Sequence, residues 1–176
     1  SGEANLGRLW KYITLLLAMT PDQHEFKVMG LAPYANKKYT REVLEIFENN
    51  FQYIDDLDFK YKNKTKDIYF TFNELLEGKR FDSIAGGLQL YTEKLVTQWI
   101  KNAISKFGIS RVVFSGGVSM NIKLNKAIAE MPEVEEFYVS PSGGDESLAL
   151  GVYYKHLGKN ETPELTNIYL GPEYNQ

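Results

Sequence analysis

Residues Arg111 to Gly151 read RVVFSGGVSMNIKLNKAIAEMPEVEEFYVSPSGGDESLALG. Twice in this stretch an apolar run meets a Ser/Gly turn, and twice the turn opens a helical pattern. The first unit is Val112–Phe114, then Ser115-Gly116-Gly117, then a helix from about Asn121. The second is Phe137–Val139, then Ser142-Gly143-Gly144, then a helix from Asp145. Two short strands joined by a helix make a βαβ crossover, which is parallel and right-handed in nearly all proteins. Both glycine turns then lie at the carboxyl ends of neighbouring strands, where open α/β sheets bind ligands.

Glycine serves such turns in two ways: it accepts positive φ, and it lets backbone approach a ligand closely. The helix that follows presents unpaired N–H groups and the positive end of its dipole. Two such termini side by side suit phosphate. The stretch has neither the G-x-G-x-x-G of dinucleotide-binding folds nor the G-K-[ST] of a Walker loop. Taken alone, each S-G-G is equally well a tight turn after a strand.

Outward from this stretch, the chain has 176 residues, 43% of them apolar, enough for one domain with a real core. A net charge of −3 with scattered basic residues argues against nonspecific nucleic-acid or membrane partners. The absence of cysteine excludes disulfides, thiolate metal sites and a cysteine nucleophile, and fits a reducing, cytoplasmic compartment. The longest apolar run, Ile13–Met19 around Thr14, is far too short to span a bilayer.

Upstream, Leu6–Met19 has the helical spacing of a core-facing helix and Pro21-Asp22 ends it. His24–Tyr34 reads as a short helix followed by a shaped loop, either functional or a helix terminus with Glu25 and Lys27 in solvent. Glu42–Phe51 is amphipathic. Gln52–Lys66 is charged and aromatic without clear period. Its acidic cluster Asp55, Asp56 and Asp58 lacks the glycine and glutamate of a calcium loop and reads as a solvated turn. Ile68–Phe72 alternates like a short strand. Asp82 is the expected N-cap of the longest helix, about Ser83–Phe107, with Gly108 just past its end. Gly86-Gly87 near its start cost roughly 1 kcal/mol each against alanine. Something must pack closely there, and a crossing helix is the favoured reading. The last helix runs from about Glu146 to Leu157, and Gly151 within it again suggests close packing.

Four motifs, in order, are HEFKVMGLAPY (His24–Tyr34), SGGVSMN (Ser115–Asn121), PSGGDESLALG (Pro141–Gly151) and YLGPEY (Tyr169–Tyr174). Together they resemble the O-carbamoyltransferases of nodulation-factor and antibiotic biosynthesis. Those are relatives of the tRNA threonylcarbamoyl-transferases within the actin/sugar-kinase/Hsp70 ATPase superfamily. The resemblance implies an α/β fold, a partial actin-like (ribonuclease H-like) ATPase subdomain with helices on a small parallel βαβ core. Residues 1–160 would be the carboxyl-terminal half of the carbamoyltransferase domain, with 52–72 an insertion or cap. Residues 161–176 would lead towards a further carboxyl-terminal domain.

The resemblance also implies chemistry. Carbamoyl phosphate, water and ATP give carbamoyl adenylate, pyrophosphate and phosphate, and the carbamoyl group then passes to a hydroxyl of a sugar or natural product with release of AMP. The first step resembles chemistry of the further domain, the second that of the actin-like domain. A divalent metal assists, commonly iron, with magnesium or manganese as alternatives. By position, Gly116, Gly117 and Val118 would line nucleotide phosphates, Asn121 would contact the nucleotide, and Gly143 and Gly144 would form the second turn. Asp145 would bind the metal, and Glu25, Lys27 and Gly30 would lie towards ribose and base. Residue type alone leaves Asp145 an ordinary N-cap accepting from the backbone of Ser147 or Leu148, and Asn121 a cap as well. Both roles stay open for each.

The match also departs from the family. The metal-binding H-x-x-x-H pair and a strand aspartate are not found: the two histidines, His24 and His156, do not form the pair. Ser119-Met120 stands where Ala-Leu is usual, Ala35-Asn36 where glycine is common, and Ser147 where glycine is usual. The expectation is therefore part of a larger enzyme, inactive alone and prone to self-association through exposed sheet edge. The rival readings are an actin-like small-molecule kinase, which would transfer phosphate instead, and a non-catalytic nucleotide-binding module.

Overall fold

The computed structural model describes residues 5–63, 67–145, 147–158 and 172. Its axis is a 27-residue helix, Phe81–Phe107, about 40 Å long at 1.5 Å per residue. Helix α1 (Leu6–Leu16) precedes it, with Asn5 accepting from Arg8 N at 2.8 Å as its cap. Leu6, Leu9, Trp10 and Ile13 form the buried face of α1, as their spacing predicts. The helix stops at Leu16, short of the expected Met19, and Ala18 takes a positive φ of 57°. Helix α2 (Glu25–Leu31) runs into a 3-10 turn over Ala32–Tyr34. Helix α3 (Lys37–Asn50) begins earlier than the apolar pattern suggests, because the Asn36 side chain caps it by accepting from Lys38 N.

In the next segment the solvated turn is found and the expected strand is not. Gln52–Tyr61 folds as an antiparallel hairpin, β1 (Gln52–Asp55) and β2 (Asp58–Tyr61), with Tyr53 opposite Lys60. Asp56 sits at its tip with φ 55°, a conformation that aspartate tolerates better than most residues. Two of the three cluster carboxylates are paired with lysines, Asp55 with Lys60 and Asp56 with Lys106. Ile68–Phe72, expected as a strand, lies in helix α4 (Ile68–Leu75). Asp67 caps it by accepting from Phe70 N at 3.0 Å. The alternation of Ile68, Phe70 and Phe72 is overridden by the four-residue spacing of Ile68, Phe72 and Leu76. Those three are buried, whereas Phe70 is 70% exposed.

The long helix is α5. It starts at Phe81, after an extended Arg80, so Asp82 lies in the first turn and is not the N-cap. Its carboxylate accepts from Ser83 N at 2.8 Å and pairs with Arg80 at 3.0 Å. At the other end Gly108 takes the left-handed conformation expected of a helix stop. The Gly86-Gly87 doublet is where α3 crosses. A Cβ at Gly86 would come within 2.8 Å of Ala35 Cβ, and one at Gly87 within 2.5 Å of Val43 Cγ1. The neighbouring core is aromatic: Phe47 lies 5.1 Å from Phe72 and 5.7 Å from Tyr91, centroid to centroid. The Tyr91 hydroxyl donates to Gln52 O at 2.6 Å and accepts from Gln52 N at 3.0 Å, pinning the hairpin to α5. Burial pushes this phenol above the ordinary tyrosine range.

Beyond α5 the expected βαβ unit is present. Strands β3 (Arg111–Phe114) and β4 (Glu136–Val139) pair in parallel, Val112 opposite Phe137 and Val113 opposite Tyr138. Helix α6 (Ile122–Ala129) connects them and buries Leu124 and Ile128. One face of this two-stranded sheet is partly covered; on the other, Val113 is 74% exposed. Helix α7 (Ser147–Leu157) follows and has no buried residue among those described. The close packing expected at Gly151 is not found, since a Cβ there would meet nothing within 4 Å. The architecture is α/β, with helices dominating and the parallel pair at one side. No helix among the described residues is long and apolar enough to cross a membrane.

Candidate functional site

The two glycine turns touch. After β3 the chain passes Gly116 at φ 99°, a left-handed conformation that favours glycine, and enters a 3-10 turn over Gly117–Met120. Gly116 O accepts from Ser119 N at 2.8 Å and closes the turn. After β4, Gly143 lies directly against it. A Cβ on Gly143 would be 2.6 Å from Gly116 O and 2.7 Å from Ser119 Oγ. The second turn is closed by Ser147, whose N–H and hydroxyl both donate to Gly144 O, at 3.2 and 2.8 Å. The serine that stands where the family has glycine therefore has a local task.

A cleft of about 2050 Å³ opens beside these turns. Gly117, Val118, Asn121, Gly143, Gly144 and Asp145 all line it. Six of the sequence-derived residues thus come together. Gly116 shapes the turn from behind. Glu25 lies on the cleft's α2 side, where its carboxylate accepts from Asp22 N at 2.7 Å. Lys27 and Gly30 are not brought to this cleft: Lys27 lies over the Phe26 ring, and Gly30 is exposed. The Tyr169–Tyr174 motif falls outside the described residues apart from Pro172.

Gly117 differs from Gly143 in one respect that bears on function. A Cβ at Gly117 would meet nothing within 4 Å, although it lines the cleft. No packing within the described residues requires glycine there, and its φ is not positive. A ligand approaching the backbone would require it.

Asn121 is the N-cap of α6, accepting from Leu124 N at 3.0 Å. Its amide also pairs with Gln89 of α5, a residue only 3% exposed. Periodicity gave no reason to single out Gln89, since it lies beside the apolar stripe of α5 and its partner is 32 residues away. Next to this pair Ser119 is 2% exposed, and its Oγ has no hydrogen-bond partner among the described residues. Asn125 Nδ2 donates to Ser119 O at 2.7 Å, tying the 3-10 turn to α6. Arg8 and Lys11 on α1 also line the cleft and give it basic groups, with Lys11 paired to Asp22. Their three-residue spacing on the polar side of α1 was the available signal.

Asp145 is exposed at the cleft. The cap reading would have its side chain accept from the next turn. Instead it is the backbone carbonyl that accepts, from Leu148 N at 3.1 Å. Among the described residues no three His, Cys, Asp or Glu side chains gather into a metal-binding group. One carboxylate does not hold a divalent ion firmly, so these residues by themselves do not fit a metal centre.

Comparison with known proteins places this arrangement. A family model described as carbamoyltransferase N-terminus matches residues 3–153. An uncharacterised protein of Methanocaldococcus jannaschii is 26% identical over 183 aligned residues, covering 98% of this chain and 30% of that protein. A second from the same organism is 30% identical, covering 96% of this chain and 33% of that protein. Nodulation protein NolNO of Sinorhizobium fredii is 28% identical, covering 85% of this chain and 23% of that protein. The chain thus spans a third or less of the length of these curated relatives. With the match running through both glycine turns, the chain belongs to the carbamoyltransferase N-terminus family.

Proposed function

We propose that this chain is the ATP- and carbamoyl-adenylate-binding part of an O-carbamoyltransferase. The parent protein would move a carbamoyl group from carbamoyl phosphate, through carbamoyl adenylate with release of phosphate and pyrophosphate, to a hydroxyl of a sugar or natural product, with AMP and the hydroxyl proton leaving. The observation that carries this reading is the joined pair of glycine turns, with Gly117 open to the cleft and Gly143 pressed on Gly116. Backbone N–H groups at such turns can meet phosphate oxygens without an intervening side chain.

In this reading Gly117 admits the nucleotide phosphates, Val118 packs the turn towards the start of α1, and Asn121 donates to the nucleotide. Asp145 adds one carboxylate towards a divalent ion whose other ligands come from elsewhere in the parent protein. The turns hold the adenylate so that its carbamoyl carbon faces the acceptor hydroxyl.

The test follows pyrophosphate release from ATP and acceptor carbamoylation in the full-length protein. Release that requires carbamoyl phosphate is expected. Gly117→Ala is expected to keep that release and lose carbamoyl transfer. Release indifferent to carbamoyl phosphate overturns the carbamoyltransferase reading.

A further inference from the structure

The side chains behind the first glycine turn form a short chain of hydrogen bonds whose polarity can be worked out. Glu93, on α5, ends in a carboxylate, which accepts only. Gln89 Nε2 donates to it at 2.7 Å, which fixes which end of the Gln89 amide is nitrogen. The same Nε2 donates to Asn121 Oδ1 at 3.2 Å, and Gln89 Oε1 accepts from Asn121 Nδ2 at 2.9 Å. Leu124 N independently demands an acceptor and finds Asn121 Oδ1 at 3.0 Å. Both constraints give Asn121 the same orientation.

An asparagine amide offers two acceptor lone pairs and two N–H donors. Both acceptor positions of Asn121 are taken, by Leu124 N and Gln89 Nε2, and one donor is taken by Gln89 Oε1. One N–H remains, on a residue that lines the cleft.

From this we infer that Gln89 is a positioning residue. It locks Asn121 so that this side chain offers the subsite beside the first turn one amide donor and no acceptor. The ligand group seated there must be a hydrogen-bond acceptor, such as a phosphate or ribose oxygen, and not an amine of the base. This inference rests on the nucleotide reading of the cleft and sharpens it.

The test uses full-length protein supplied with carbamoyl adenylate and measures KM for the adenylate and kcat in acceptor carbamoylation, with thermal stability alongside. Asn121→Ser keeps a hydroxyl able to cap α6 but loses the N–H; kcat/KM should fall roughly tenfold. Asn121→Asp keeps the cap and turns the donor into a carboxylate facing an acceptor; it should fall at least a further tenfold or so. Gln89→Leu should raise KM several-fold with kcat nearly unchanged, a split that loss of folding stability alone does not produce. The double variant Gln89→Leu/Asn121→Asp removes the Gln89 oxygen that would face the new carboxylate. It should do no better than Asn121→Asp. Recovery in the double variant would put the repulsion inside the protein and overturn the inference. Activity of Asn121→Asp at or above that of Asn121→Ser would also overturn it. Failure of the underlying nucleotide reading has a separate signature, carbamoyl transfer unaffected by Gly117→Ala.

Discussion

Two glycine doublets occupy opposite situations in this molecule. Gly86-Gly87 sits inside α5, sealed under α3, where added Cβ atoms would strike Ala35, Thr40, Val43 and the backbone of Leu44. Gly116-Gly117 sits at the end of β3, where added Cβ atoms would meet nothing within 4 Å. The first doublet is explained by the fold. The second is explained in part by the positive φ of Gly116, and at Gly117 by nothing in the fold. The same residue pair therefore marks packing in one place and a turn left open in the other.

The sharpest way to break this comparison is Gly87→Ala. Alanine favours a helix by roughly 1 kcal/mol over glycine. The clash at 2.5 Å with a fully buried Val43 outweighs that, and a net loss of about 2 kcal/mol is expected in chemical denaturation. Val43→Ala should recover part of this when combined with it, since the two changes share one contact. A stabilised Gly87→Ala would mean that α3 does not press on α5 as described.

Gly143→Ala should come next. Its Cβ would meet the Gly116 carbonyl and the Ser119 hydroxyl, so the turns must part, at a cost of about 1–2 kcal/mol. Stability and carbamoyl transfer should fall together. Gly117→Ala should separate them: stability within about 0.5 kcal/mol of the parent, with transfer lost. Equal loss of stability in Gly117→Ala and Gly143→Ala would erase the distinction between the open and closed glycines.

The smallest effect concerns the start of α5. The hydrogen bond from Arg80 holds the Asp82 carboxyl below its usual range. A carboxyl depressed on folding contributes stability above its unfolded value, about pH 4, and loses it as pH falls through the folded value. Arg80→Ala should therefore shrink the acid-side loss of stability measured below about pH 4 and leave the Gly86-Gly87 crossing unchanged. An unchanged acid limb would show that the exposed Arg80 contributes nothing measurable, as many surface pairs do.

Much of this architecture is written locally. The β3–α6–β4 unit follows from apolar runs ending in Ser/Gly turns, and α5 from a three- and four-residue apolar repeat closed by Gly108. The close packing at Gly86-Gly87 follows from the cost of glycine inside a helix. Where local signals compete, reading along the chain loses. Ile68–Phe72 carries strand-like alternation and helix-like i,i+4 spacing at once, and burial of Ile68, Phe72 and Leu76 in one core decided for the helix. The Gln52–Tyr61 hairpin lacked clear alternation because its two strands are short and mostly exposed. Gly151 carried the same signal as Gly86, and nothing packs on it among the described residues.

The sequence by itself determined the α/β class, the parallel pair, the positions of both glycine turns and the family motifs that run through them. These depend on periodicity and on backbone freedom, which neighbouring residues report. Only the tertiary structure decided that Gly143 rests on Gly116, that Gly117 stays open, and that Gln89 holds Asn121. Those facts depend on side chains brought together across tens of residues, by the burial of α5 against the elements around it, and no local spacing encodes that meeting.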